Sequence, residues 1–332
     1  MAAYTTIDDP EAYFQVKAYT GDGAATLALT LDGDTDMQPD LVWIKNRSSG
    51  ENHAVVDAVR GVGLQLLTNS TAAEYSNANS VKAFNSDGFS VGDLSDTNGS
   101  GNNLVAWCWK ESATAGFDIV NNVKNDTDVE NVSHNLSAVP HWIIGKSRTG
   151  GSYRWICYHK DVGNDDAMYL NENFAETDSD TFWNDTTPTS SVFTLGADNS
   201  WNGTNIFYVW TPIQGFSSMG SYTGNGNADG PFIWTNGMKP AWLLHKNING
   251  ANGWSITDNK RETFNVMGDL NLYPESAGAE SGNSNYHHDF LSNGFKIRSA
   301  DDQINKSGDV YIYIAFAEAP FVNSKGVPCN AR

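Results

Sequence analysis

With 332 residues, of which 15 are Phe, 13 Tyr and 11 Trp, the chain carries enough core-forming material to argue against disorder despite a polar average composition. A formal net charge of -19 argues against nucleic acid as a ligand, because that affinity rests on Lys and Arg displacing counterions from phosphates, and it disfavours anionic membrane surfaces in the same way. No run approaches about 18 consecutive apolar residues, and three cysteines without C-x-x-C spacing give no disulfide framework, which fits assembly in a reducing cytoplasm.

In chain order, residues 1–13 form an N-terminal arm with no basic segment leading into an apolar one, so no signal peptide is expected. Residues 14–112 then make a first unit. It holds the turn Tyr19-Thr-Gly-Asp-Gly23, an anchor segment Pro39-Asp-Leu-Val-Trp-Ile-Lys45, the pair Asp57-x-x-Arg60, Ala73-Glu74, the segment Phe84-Asn-Ser-Asp-Gly-Phe89 and an aromatic run Leu104-Val-Ala-Trp-Cys-Trp109. Residues 113–214 repeat the order with Pro140-His-Trp-Ile-Ile-Gly-Lys146, Ala175-Glu176, Val192-Phe193 and Ile206-Phe-Tyr-Val-Trp210. Residues 215–320 do so again with Tyr222-Thr-Gly-Asn-Gly226, Pro240-Ala-Trp-Leu-Leu-His-Lys246, Asp258-x-x-Arg261, Ala279-Glu280, Phe290-Leu-Ser-Asn-Gly-Phe295 and Tyr311-Ile-Tyr-Ile-Ala-Phe316. The anchor prolines stand 101 and 100 residues apart, and a lysine follows each by six. Residues 321–332 form a C-terminal arm.

The anchor and closing runs are short, β-branched and aromatic, bounded by Pro, Gly and Asn, and therefore read as buried strands. The Gly-Asp/Asn-Gly segments suit tight turns. The expected architecture is all-β: three tandem β-sandwich repeats, jelly-roll or concanavalin-like, each of a size that can make one domain. No flexible spacer separates the units, so they should pack together, as a rod or around a pseudo-threefold axis.

The chain contains no zinc helix, phosphate loop or dinucleotide fingerprint. A sandwich glycosidase would need two facing carboxylates, and the apolar strands carry no acidic alternation to supply them. The reading is therefore non-enzymatic, without cofactor or metal. Asp32-Gly-Asp34-Thr-Asp36 begins like a calcium loop, but Met37 and Trp43 occupy the positions that need Gly and Glu. His287-His288-Asp289 reads as a polar loop, because neighbours on a strand face opposite ways. Asp57 with Arg60, and Asp258 with Arg261, read as structural ion pairs pinning a turn, with Tyr158 and Asp161 at the same offsets in unit two. The three repeat lysines read as surface strand ends, and the Ala-Glu pairs as polar loops. Trp155, Trp183, Trp201, Trp234 and Trp254 lie near Asn, Asp or Gly outside the closing strands and are the candidates for stacking on sugar rings.

Taken together, Pro39 to Arg47, Thr187 to Phe193, Gly220 to Gly226, Ala228 to Phe232 and Phe290 to Phe295 resemble an uncharacterised, concanavalin-like repeat domain of tail-fibre-like and other virion proteins of marine and related bacteriophages. The resemblance covers nearly the whole chain and supplies no functional residues. It implies a virion protein assembled in the host cytoplasm, a tail fibre or tail appendage component meeting other virion proteins and host surface glycan. It also implies a homo-oligomer, with a trimer as the usual state of such proteins. Capsid decoration, a carbohydrate-binding module and a sandwich glycosidase are the alternatives.

Overall fold

The structure, a computed structural model, describes residues 5–282 and 285–331. It is an all-β chain in which one strand order returns in three consecutive stretches. In unit one the opening strand Phe14–Thr20 lies beside the closing strand Asn103–Trp109, then come the anchor strand Leu41–Asn46, His53–Asp57, Leu64–Leu67 and Tyr75–Ser76. Unit two repeats this as Phe117–Lys124, Gly203–Trp210, Trp142–Ser147, Ile156–His159, Gly163–Tyr169 and Thr177–Asp178. Unit three has Ser217–Thr223, Val310–Pro320, Met238–Asn247 and Trp254–Asp258. Register agrees as well: Leu41 faces Trp109, Trp142 faces Trp210 and Trp242 faces Phe316. A slip of one residue would turn every apolar side chain to the wrong face.

Each unit adds a smaller antiparallel sheet. Unit one uses Leu27–Leu29, Gly88–Val91 and Val81–Asn85; unit two uses Glu130–Ser133 and Val192–Leu195; unit three uses Phe232–Trp234, Gly294–Ile297 and His288–Leu291. Between the two sheets of unit one, Val42, Ile44, Val56 and Cys108 meet Leu29, Phe89 and Val91. In unit two Ile143, Phe207 and Val209 meet Val132, Phe193 and Leu195. The glycine of the Gly-Phe segment has a steric cause, since a Cβ on Gly88 would stand 2.0 Å from the Leu29 carbonyl oxygen and one on Gly294 2.1 Å from that of Ile233.

The anchor strands are buried along their length, Lys239 alone being partly exposed, because both faces are covered. Alternate residues turn away from the sandwich interior. Leu41, Trp43, Trp107 and Trp109 join Trp142, Tyr208, Trp210, Trp242, Leu244, Ile314 and Phe316 in one apolar cluster that runs through all three units. The Trp109 ring lies 6.3 Å from Trp210 and 5.7 Å from Trp242, and Trp142 lies 5.6 Å from Trp254. Only a void of about 20 Å³ remains at the centre. The three larger sheets thus surround a common pseudo-threefold axis, and the rod is excluded. A single unit does not hide all its apolar surface, because one face of its larger sheet needs the other two units.

Segments near both ends lie against this body. The Thr5 hydroxyl donates to the Gln214 carbonyl at 3.0 Å, and Ile7 is buried. Phe321 N–H donates to the Gly237 carbonyl at 2.8 Å, and Ser324 N–H donates to the Asp8 carboxylate at 2.7 Å. Residues 321–329 therefore fold back on their own chain. No helix among the described residues is long and apolar enough to cross a membrane.

Candidate functional site

Two features stand out: the seams between units, and one outward face. At the seams the repeat lysines are not at the surface. Lys45, Lys146 and Lys246 are buried, and their ammonium groups sit among carbonyl oxygens. Lys45 donates to Asn46 at 2.6 Å, Glu51 at 2.8 Å and Ala277 of unit three at 3.1 Å. Lys146 donates to Ser147 at 2.9 Å and Thr71 of unit one at 3.3 Å. Lys246 donates to Asn247 at 2.8 Å and Asn173 of unit two at 3.4 Å. Thr71, Asn173 and Ala277 each stand two residues before an Ala-Glu pair, so the bonds form a cycle. Burial lowers all three lysines to about 8.

The Ala-Glu pairs complete each seam. Glu74, Glu176 and Glu280 donate their backbone N–H to the carbonyls of Arg148, Ile248 and Arg47 at 3.0, 2.9 and 2.8 Å. In two seams the carboxylate is also clamped. Glu74 accepts from Arg60 at 2.9 Å and from both prongs of Arg148 at 3.0 and 2.9 Å. Glu280 accepts from Arg261 at 2.8 Å and from Arg47 at 2.7 Å. For Glu74, burial pushes the carboxyl up, but the bonds from Arg148 and Arg60 outweigh it and hold the group below the usual range.

Arg60 and Arg261 are fully enclosed and also bind Asp57 and Asp258, whose carboxylates accept the turn N–H of Arg60 at 2.8 Å and of Arg261 at 3.0 Å. Across the seam Asp57 accepts from the Tyr208 hydroxyl at 2.7 Å, and Asp258 from the Trp107 indole at 3.0 Å. The ion pairs pin their turns and also join units. Sequence reasoning missed this second half. Its signal was the arginine two residues past the lysine, Arg47 and Arg148, recurring only where the neighbouring Ala-Glu loop follows an Asp-x-x-Arg turn.

The seam between units two and three differs. Ile248 stands where the others have arginine, so Glu176 keeps only its backbone bond there. The counterpart of Asp57 is His159, which pairs with Trp142 as Asp57 pairs with Leu41. The offset count pointed to Tyr158 and Asp161. It is one residue out because Gly145 pairs with Ile156 whereas Ile44 pairs with Ala54, so the turn of unit two is one residue longer. Val162 then takes the arginine position and packs on the common core.

Four of the five candidate tryptophans cannot present a ring to a ligand. Trp155, Trp183, Trp201 and Trp254 are between 0 and 1% exposed. The Trp155 indole donates to Leu67 of unit one at 2.8 Å and that of Trp254 to Tyr169 of unit two at 2.9 Å, so both are further seam bonds. Trp183 and Trp201 pack together inside the sandwich of unit two, 5.5 Å apart. Their polar neighbours in sequence are simply the turns that end buried segments. Cys108 and Cys157 are also buried, which pushes both thiols up and leaves them inert. His287 bonds Asp269 at 2.7 Å while His288, buried, meets Thr257 at 3.0 Å, so the two do not converge.

Trp234 is the exception, 56% exposed, with Phe232 beside it at 47%. They point outward from the edge strand of unit three's smaller sheet, two residues apart on one face, while Ile233 between them is buried. Across the sheet lie Lys296 and Gly294, then Asp289 and Leu291. Lys296 binds Asp229 at 2.9 Å, and Arg298 binds Asp289 at 2.5 Å and approaches Asp229 at 3.6 Å. The Trp234 carbonyl accepts from the Tyr313 hydroxyl at 3.2 Å, fixing the strand. Leu29, Val132 and Ile233 all face the phenylalanine of the Phe strand, which makes the outward counterparts Ala28 and Thr30 in unit one, and Asn131 and Ser133 in unit two. Phe232 went unnoticed in the sequence.

No curated protein and no solved structure matches the chain. Residues 9–320, which include all three units and their seams, match a family model described as a domain of unknown function, DUF7483, and the chain belongs to that family.

Proposed function

We propose that the chain is a non-catalytic structural protein of a bacteriophage particle, part of the tail or of a tail appendage that meets the host surface. The observation that carries the structural part is the cyclic seam, in which lysines, glutamates and aromatic donors of each unit are bonded to the next. Such a body resists the local opening by which loosely packed regions exchange and are cleaved. The acidic groups at the seams, Asp57, Glu74, Asp258 and Glu280, are occupied by arginines, which supports cross-linking rather than proton transfer as their task. The particle assignment rests on the motifs from Pro39 to Arg47 and from Gly220 to Gly226, which resemble those of virion proteins.

Imaging particles that carry a labelled version of the chain tests the reading. Label on the tail is the expected result, label on the capsid surface would move the role to decoration, and absence from the particle would overturn it. A parallel incubation with host polysaccharide is expected to release no reducing ends.

A further inference from the structure

We propose that the outward face of unit three's smaller sheet binds a neutral glycan, with sugar rings stacked on Trp234 and Phe232 and their hydroxyls bonded by the rim of Asp229, Lys296 and Arg298. This deepens the host-contact part of the proposed function by naming a place and a ligand class.

The fold supplies its own control. The outward positions of the corresponding strand are Ala28 and Thr30 in unit one and Asn131 and Ser133 in unit two, all exposed, as expected of a solvated sheet face. Only unit three places aromatics there. Nothing in the fold requires them, because the other two units build the same sheet without them. About half of each ring stays in water, and the other two units build the same sheet without such rings, so the exposed part has its use outside the chain.

The chemistry around the pair selects the ligand. Side chains two apart on a strand stand about 6.6 Å apart, the scale of neighbouring sugar rings. Sugars offer an apolar C–H face within a hydroxyl rim, and this face offers aromatic rings beside charged groups able to bond vicinal hydroxyls in pairs. Two cations and two anions already pair with each other, leaving no net charge to attract a phosphate or a uronate. A protein partner fits poorly, since two half-exposed aromatics offer on the order of 200 Å² where a stable interface takes about 800 Å² per side. The platform is also fixed in advance by buried Ile233 and by the Tyr313 bond, so binding need not order it.

The test titrates the full chain with cello-, laminari-, manno- and galacto-oligosaccharides, and with oligo-alginate and oligogalacturonate, followed by calorimetry and tryptophan fluorescence. At least one neutral series is expected to bind with a fluorescence change. Trp234→Ala and Phe232→Ala should each weaken it at least tenfold, Trp234→Tyr should retain most of it, and all three should still melt cooperatively, since about half of each ring is in water. Silence from every neutral series, binding unaltered by Trp234→Ala, or preference for the acidic series with loss on Lys296→Ala would each overturn the proposal. A chain that binds sugar yet is missing from particles would leave this inference standing and remove the virion reading alone.

Discussion

Two of the seams are clamped by carboxylates and arginines, and the third has no such clamp, yet the glutamate backbone bond is the same in all three. Glu74, Glu176 and Glu280 each reach the neighbouring carbonyl within 0.2 Å of one another. The geometry of the body is therefore set by strand order, the shared aromatic column and the lysine cages. The arginines add strength to a form that does not need them. Once one clamp is present, however, its members depend on each other, because a buried carboxylate without its partner is far costlier than a seam that never had one.

The largest expected effect comes from breaking a clamp. Arg60→Ala leaves Asp57 and Glu74 without their shared cation in an enclosed site and should cost about 3 to 5 kcal/mol. The same truncation at Val162, its counterpart in unit two, removes only apolar contacts and should cost about 1 to 2 kcal/mol. Denaturant melts of the two variants measure the difference, and equal losses would break the comparison.

A pH-dependent effect comes next. Glu275 occupies the place of Asn69 and Asn171, each of which accepts a backbone N–H across the sheet, at 2.9 Å from His53 and 2.8 Å from Trp155. Glu275 does the same for Trp254 at 3.1 Å, but its second oxygen finds no partner among the described residues. Burial pushes this carboxyl up to about 8, from an ordinary 4.5. The folded state then holds a proton that the unfolded chain releases, so stability is greatest below about pH 4.5 and is lost as pH rises through 8. Glu275→Gln should remove this dependence, gaining up to about 4 kcal/mol at pH 8 and nothing at pH 4. A gain that is equal at both values would refute the account.

The lysine cages sharpen the comparison further. Because they occur at every seam, Lys45→Met, Lys146→Met and Lys246→Met should each cost about 1 to 3 kcal/mol, whether or not an arginine clamp lies beside them. The smallest effect is a repair. Ile248→Arg places a guanidinium opposite Glu176 and should change stability by less than about 1 kcal/mol. In the native protein, hydrogen exchange at the amides of Glu176 and Ile248 should precede that at Glu74 and Glu280.

The anchor strands were legible in the sequence, since unbroken apolar runs between Pro, Gly and Asn leave little choice, and so were the Asp-x-x-Arg pairs, which are local. The body they build was not. Trp43 and Ile44 have the same apolar character, and nothing in a single run tells which faces the sandwich and which faces the axis. Lys45 was misplaced because lysine is a surface residue unless tertiary structure supplies carbonyls, and those at Ala277 lie 232 residues away. The tryptophans were judged by sequence neighbours, which report where a strand stops rather than which way a ring points. Comparing outward positions across the units, rather than reading each tryptophan alone, is what separates Trp234 from the other four.

The seams have a consequence for stoichiometry. Unit one by itself owns both halves of a clamped seam: Lys45, Arg47 and Trp107 on one side, and Asp57, Arg60, Glu74 and the Thr71 carbonyl on the other. Three separate copies of residues 14–112 own the partners for the lysine, aspartate, glutamate and arginine bonds of a closed head-to-tail ring, and a lone copy would leave its tryptophans in water. Unit three, with Ile248 and Ile314, could not form that ring on the same terms. Linked in one polypeptide, the units need not be alike: the third keeps Asp258, Arg261 and Glu280 for its seam with unit one, has Ile248 and Ile314 towards unit two, and carries an aromatic face of its own.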